Sequence, residues 1–230
     1  MIKLMISLAL SAAFMAGASG LVKETLPKGN DKPVHELLKK YKKRGPIQIK
    51  LRKKLVGLLK EKVSEGTLKI KKDKLRLEIT KPEKSLMVVD GQYIWVEQST
   101  EFGGKRIVNV TKYPLTEEAK SSAILSILFA EGSELNAFQL LNATGKAEKR
   151  TYIYQPKSAE SDYTELKIVL QESEGRILSL SYTDDTDNLV TYDFGVTKFK
   201  ANVPDKDFKY SPPKGAEVVD PTQPGKGKSS

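Results

Sequence analysis

From Gly66 to Glu97 the chain reads GTLKIKKDKLRLEITKPEKSLMVVDGQYIWVE, alternating apolar and polar side chains almost without interruption. A period of two sends successive side chains to opposite faces of a strand, whereas a helix would scatter the same residues around its circumference. With Lys72-Asp73 as a two-residue turn, Ile70 faces Leu75 and Leu68 faces Leu77, and every apolar residue of both strands falls on one face. Lys69, Lys71, Lys74 and Arg76 share the other. Slipping the register by one residue would scramble both faces, so the pattern selects this hairpin. Asp90-Gly91, two residues that tolerate positive φ, predicts a second hairpin that pairs Val88 with Tyr93 and Leu86 with Trp95 on one face and Met87 with Ile94 on the other. These two strands are apolar on both sides, so each side needs a cover.

The flanking segments extend the pattern. Val34, Leu37, Leu38 and Tyr41 lie at helical spacing, with Asp31 before Pro33 as the start and Gly45-Pro46 as the stop, which predicts an amphipathic helix over Pro33–Arg44. Ile47, Ile49 and Leu51 then alternate with Gln48, Lys50 and Arg52 as a strand, and LVGLLKEKVSEG fits strand and helix alike. Ile124, Leu125, Leu128 and Phe129 are spaced for a helix that either belongs to the core or covers a cavity. NAFQLLN, RTYIYQP, TELKIVL, RILSLSYTD, NLVTYDFG and DFKYSPP read as further strands, separated by Gly, Asp, Asn and Ser turns. So many closely spaced strands predict a mainly β fold with an antiparallel sheet or barrel.

A length of 230 residues, 39% hydrophobic and 30% charged, suits one domain with a sizeable core. The opening MIKLMISLALSAAFMAGASG has an apolar run from Leu4 to Phe14 before Ala16-Gly17-Ala18, which reads as a signal peptide over 1–18 rather than an uncleaved anchor, the run being too short to span a bilayer. The expected organisation continues with a flexible leader over 19–32, one β domain over 33–219 and, by composition, a disordered tail over 220–230. The expected compartment is the periplasm.

Cysteine is absent, which excludes disulfides, thiol nucleophiles and thiolate metal sites and leaves nothing to lipidate after the signal peptide. The single histidine, His35, lies in the first helix and supports neither a two-histidine zinc site nor a Ser/His/Asp triad. Asp184 to Asn188, TDDTDN with its flanking Thr183, lacks the glycine and glutamate of an EF-hand and reads as a hairpin turn. Asn109 and Asn142 match a glycosylation pattern that is frequent by chance. The chain therefore reads as a non-enzyme without cofactor or metal.

Net charge is +10, concentrated between Lys23 and Lys84, where twenty-one basic residues face eight acidic ones. No nucleic-acid-binding signature accompanies them. Anionic membrane surfaces, lipid headgroups or an acidic partner fit this charge, as does a lysine-rich surface that only maintains solubility.

The order of these pieces resembles the LolA family of periplasmic lipoprotein carriers over roughly Val34 to Val219. The features that carry the resemblance are Gly66–Leu68, Lys74-Leu75-Arg76-Leu77-Glu78 before Pro82, Val89-Asp90-Gly91 leading to Trp95, the Asp184–Asn188 turn, and Phe208 with Pro212-Pro213-Lys214-Gly215. The resemblance implies an open, incomplete antiparallel β-barrel covered by a helical lid, whose apolar hollow shields lipoprotein acyl chains from water. It implies as partners outer-membrane-destined lipoproteins, an inner-membrane lipoprotein-releasing ABC transporter and an outer-membrane acceptor, with the carrier itself a monomer. The expected lining is Leu68, Ile70, Leu75, Leu77, Ile79, Leu86, Val88, Tyr93 and Trp95, with Ile124, Leu125, Leu128 and Phe129 as its cover. Many members hold the lid with an arginine that precedes a proline; here Lys71-Lys72-Asp73 stand in that place, so Lys71, Lys72 and Arg76 are the residues expected to control a lid or dock a partner. A sensor or regulatory module on the same fold, recognising anionic envelope lipid or a partner protein, is the alternative.

Overall fold

The computed structural model describes residues 30–58, 60–116, 134–159, 161, 163–184 and 186–221. The first 18 residues, the greater part of the leader and of the tail, and the four residues from Ile124 to Phe129 expected to form a cover lie outside them.

Helix α1 (Lys32–Lys43) opens the described chain, with a proline in its first turn and Gly45 at φ 82° just beyond its end. Six strands follow: β1 (Ile47–Val56), β2 (Glu61–Lys71), β3 (Lys74–Lys81), β4 (Ser85–Val89), β5 (Tyr93–Phe102) and β6 (Lys105–Pro114). The ambiguous LVGLLKEKVSEG resolves into the end of β1 and the start of β2, with Leu59 between them outside the described residues. After a short 3-10 turn (Glu134–Ala137) come β7 (Phe138–Lys146), β8 (Lys149–Pro156), β9 (Tyr163–Gln171), β10 (Arg176–Asp184) and β11 (Leu189–Phe199), then a 3-10 helix (Asp205–Phe208) and β12 (Glu217–Val219).

Among the described residues all twelve strands form one sheet in the order β12-β6-β5-β4-β3-β2-β1-β11-β10-β9-β8-β7. Every pairing is antiparallel except that of β12 with β6, and the edges β12 and β7 do not meet, so the sheet stays open. The β2–β3 register is the one the alternation requires: Ile70 opposite Leu75, Leu68 opposite Leu77, with Lys72 at φ 56° in the turn.

Two expectations need correction. The second hairpin pairs Val88 with Trp95 and Val89 with Ile94, two residues away from the register read from Asp90-Gly91. The Asp90 carboxylate explains the shift: it accepts the backbone N–H groups of Gln92 and Tyr93, both at 2.8 Å, and so widens the loop from two residues to four. A shift of two keeps each side chain on its own face. DFKYSPP is not a strand but the end of a 3-10 helix and an extended stretch, because Phe208 buries itself and Pro212 and Pro213 have no N–H to give a ladder.

Strand β6 had no sequence expectation. Gly103 and Gly104, at φ 58° and 73°, close the β5–β6 hairpin, a turn that a side chain would strain.

One continuous apolar cluster occupies a single face, the inner one. It runs from Ile94 of β5 through Leu75, Leu68 and Ile49 to Tyr192 of β11 and Tyr152 of β8. Val34, Leu37, Leu38 and Tyr41 of α1 belong to the same cluster, so the helix lies against this face.

Candidate functional site

The inner face is built by period two. Leu68 and Ile70 of β2, Leu75, Leu77 and Ile79 of β3, and Val89 and Ile94 of the next hairpin are all buried there, with Met87 and Val96 packed against them. Gly66 lets β2 and β3 close up at a bulge; a Cβ at that position would lie 2.3 Å from the Glu78 carbonyl oxygen.

The opposite flank of the sheet anchors α1. The Tyr41 hydroxyl accepts the Ile177 backbone N–H at 2.9 Å, and the Tyr41 ring meets Phe199 edge-on at 5.3 Å. Arg44 donates to the Gly175 carbonyl at 2.9 Å and lies over the Phe199 ring. Burial pushes the hydroxyls of Tyr41, Tyr154 and Tyr192 upward, as expected of phenols held in a dry interior. Tyr152 rises to about 12, from burial first and then from Glu172, to which its hydroxyl donates.

The structure divides the nine strand residues expected to line a hollow. Leu68, Ile70, Leu75, Leu77 and Ile79 share the inner face. Leu86, Val88, Tyr93 and Trp95 lie on the outer face, because Leu75 stands opposite Val89 and Leu77 opposite Met87, leaving the alternate residues pointing away. Ile124, Leu125, Leu128 and Phe129 are outside the described residues.

Residues 201–210 cover that outer face. Val88, Val110, Val203 and Phe208 are buried there, apart from the main cluster. Trp95 packs on Tyr210 at 5.3 Å and donates through Nε1 to the Asp90 carboxylate at 2.9 Å, while the Tyr210 hydroxyl donates to Glu97 at 2.8 Å. Lys112 Nζ sits 3.6 Å from the Tyr93 ring centroid.

Polar contacts complete the attachment. Lys69 pairs with Asp207 at 2.8 Å, and Lys71 pairs with Asp205 at 2.9 Å while donating to the Val203 carbonyl at 3.1 Å. Arg76 pairs with Glu78 and reaches the Asp207 carbonyl at 3.4 Å. Two of the three residues expected to control a lid, Lys71 and Arg76, are thus engaged with the C-terminal segment, and Lys72 is in the β2–β3 turn. Sequence reasoning missed this strap; its signal was the run of Asp205, Asp207, Phe208 and Tyr210 opposite a basic strand face.

At one end of the inner face the lining changes. Lys53 and Leu55 of β1, Lys62 and Ser64 of β2, Ile79 of β3, Ser85 of β4 and Gln98 of β5 enclose a cleft of about 290 Å³, with Glu83 and Lys84 at its rim. Lys62 pairs with Glu83. Lys53 Nζ lies 5.5 Å from the Tyr192 ring centroid, and burial, followed by the charge of Lys62, lowers its pKa.

His35 meets Asp31 of its own helix at 3.3 Å, and no group of three or more histidine, aspartate or glutamate side chains among the described residues is arranged to hold a metal ion. What the described residues present is a continuous apolar inner face.

Comparison with known proteins identifies the chain's relatives. Residues 55–211 match the family model described as outer membrane lipoprotein carrier protein LolA. A protein named outer-membrane lipoprotein carrier protein from Dechloromonas aromatica is 29% identical over 162 residues, covering 70% of this chain and 73% of its own. One of the same name from Chromobacterium violaceum is 26% identical over 165 residues, covering 70% and 74%. Among solved structures, an uncharacterized conserved protein from Thermus thermophilus aligns with a TM-score of 0.47 at 12% identity, covering 81% of this chain and 96% of its own. A LolA superfamily protein from Nitrosomonas europaea aligns with a TM-score of 0.40 at 12% identity, covering 77% and 97%.

Proposed function

The chain belongs to the LolA family, and from that premise we propose that it carries lipoproteins from the inner to the outer membrane across the periplasm, holding their acyl chains against its inner face. The observation that carries this reading is the continuous apolar inner face of an open sheet, backed by a separately covered outer face. Each methylene removed from water is worth about 0.8 kcal/mol, so a chain of roughly sixteen carbons gains on the order of 12 kcal/mol from such a surface. That gain is reversible and consumes no reactant. Transfer then follows differences in binding free energy between the releasing transporter, the carrier and the acceptor.

Leu68, Ile70, Leu75, Leu77 and Ile79 are the residues assigned to the acyl chains, joined by Met87, Val89, Ile94 and Val96 from the next hairpin. Leu86, Val88, Tyr93 and Trp95 support the sheet from behind. The same reading gives Ile124, Leu125, Leu128 and Phe129 to the cargo's cover. No helix among the described residues is long and apolar enough to cross a membrane.

The test is release of a triacylated lipoprotein from inner-membrane vesicles that contain the organism's own transporter. Wild-type protein is expected to yield a soluble one-to-one complex that passes its cargo to outer-membrane material. Release no higher than the no-carrier control would refute the proposal.

A further inference from the structure

We infer that the cleft at the Lys53 end of the inner face is a headgroup site for anionic acyl amphiphiles, with the Lys53 ammonium as counter-charge. The inference rests on the acyl-chain reading of the inner face, but not on a lipoprotein being the molecule carried.

The cleft joins the apolar face to polar groups several of which have no partner among the described residues. Ile79 belongs to the core cluster and Leu55 packs against it, so a chain lying on the inner face leads into the cleft. Lys53 stands opposite Ser64 and Tyr192 in its two neighbouring strands, on the same face as Leu51 and Leu55. Among the described residues its ammonium pairs with no carboxylate and faces the Tyr192 ring. The side chains of Ser64, Ser85, Gln98 and Thr100, which also line the cleft, form no hydrogen bonds among those residues. Glu83 is matched by Lys62, which leaves Lys53 and Lys84 as the excess charge.

A desolvated cation without a partner costs stability, and an anion restores the lost solvation with charge-assisted hydrogen bonds. Against roughly 30 Å³ for one water in the liquid, the cleft has room for a phosphate or carboxylate headgroup. The hydroxyls and the amide supply further donors.

Calorimetric titration of the purified full chain tests this with three probes: palmitoyl-lysophosphatidylglycerol, neutral monopalmitoylglycerol, and glycerol 3-phosphate without a chain. The anionic lipid is expected to bind about tenfold or more tightly than the neutral one. Lys53→Met and Lys53→Gln should abolish that preference and unfold at or above the wild-type temperature. Equal affinity for the two lipids in the wild type, or a preference that survives in both variants, overturns the headgroup site while leaving the acyl reading intact. Binding of neither lipid overturns both. Glycerol phosphate binding as tightly as the lipid would mark a free-anion site and overturn the amphiphile class. Loss of folding in both variants would make Lys53 structural and overturn the inference.

Discussion

Strands β2 to β5 present two faces that are covered in different ways: the inner is apolar throughout, the outer is apolar on β4 and β5 and basic on β2 and β3. The inner face meets α1 and the other flank of the sheet through side chains such as Leu37, Leu75 and Tyr154, in contacts without direction. The outer face meets residues 201–210 through Phe208 and Val203, but also through the Lys69–Asp207 and Lys71–Asp205 pairs, the Trp95–Tyr210 stack and the Tyr210–Glu97 hydrogen bond. Non-directional apolar contact accepts any apolar partner of suitable shape, whereas paired charges and a seated ring accept one. Under the carrier proposal, the difference marks the inner face as the one whose cover would exchange and the outer face as the one that would hold the sheet in shape.

The largest effect should come from cutting one large side chain on each face. Phe208→Ala is expected to cost about 3–5 kcal/mol and Leu75→Ala about 2–5 kcal/mol, read by urea unfolding. Only the inner variant should also weaken binding of an apolar fluorescent probe per folded molecule. Equal loss of probe binding in both variants would break the comparison.

A smaller effect tests whether the outer strap is held by directed charge. Lys69 and Asp207 are mostly shielded from water, so a double-mutant cycle of Lys69→Met with Asp207→Asn should give a coupling of about 1 kcal/mol. A coupling indistinguishable from zero would remove this pair from the strap's attachments and leave the Lys71–Asp205 pair and the Tyr210 contacts to carry the directed part.

The smallest effect concerns Lys53, where burial works against the charge. Its pKa is lower in the folded protein than the ordinary 10.5 of the unfolded chain, so the unfolded state binds more protons between the two values. Folding stability from this group therefore rises with pH through that window. Lys62, Glu83, Lys84 and Tyr192 surround the site and are the same in both proteins. Lys53→Met should consequently be the more stable protein at pH 7, with its advantage shrinking as pH approaches 10.5. A gap that widens with pH would reverse the sign of the burial argument.

How much was legible in the chain follows from the range of each interaction. The β2–β3 hairpin was readable to the residue because strict alternation and a two-residue turn agree, and one slip would bury Lys69 and Arg76. The Val88–Trp95 hairpin was readable as to faces but not as to partners, since a carboxylate that captures two backbone N–H groups is invisible to a pattern of apolar residues. Strand β6 went unread although Gly103-Gly104 announces its turn. Within the candidate site, alternation grouped Leu68 with Leu77 and Leu86 with Trp95, but not the two groups with respect to one another. That relation depends on how β4 pairs with β3 across the Pro82 loop.

Composition and period two were sufficient for a mainly β chain with an amphipathic first helix, without cysteine chemistry and with two apolar faces in need of covers. These are properties of neighbouring residues, and a local pattern encodes them. Which face became the interior, that the segment after Pro204 straps the other, and that Lys53 ends up beside Tyr192 were decided only when strands far apart in sequence met. Each of these depends on contacts between residues more than one hundred positions apart, and no periodicity within a strand records its distant partner.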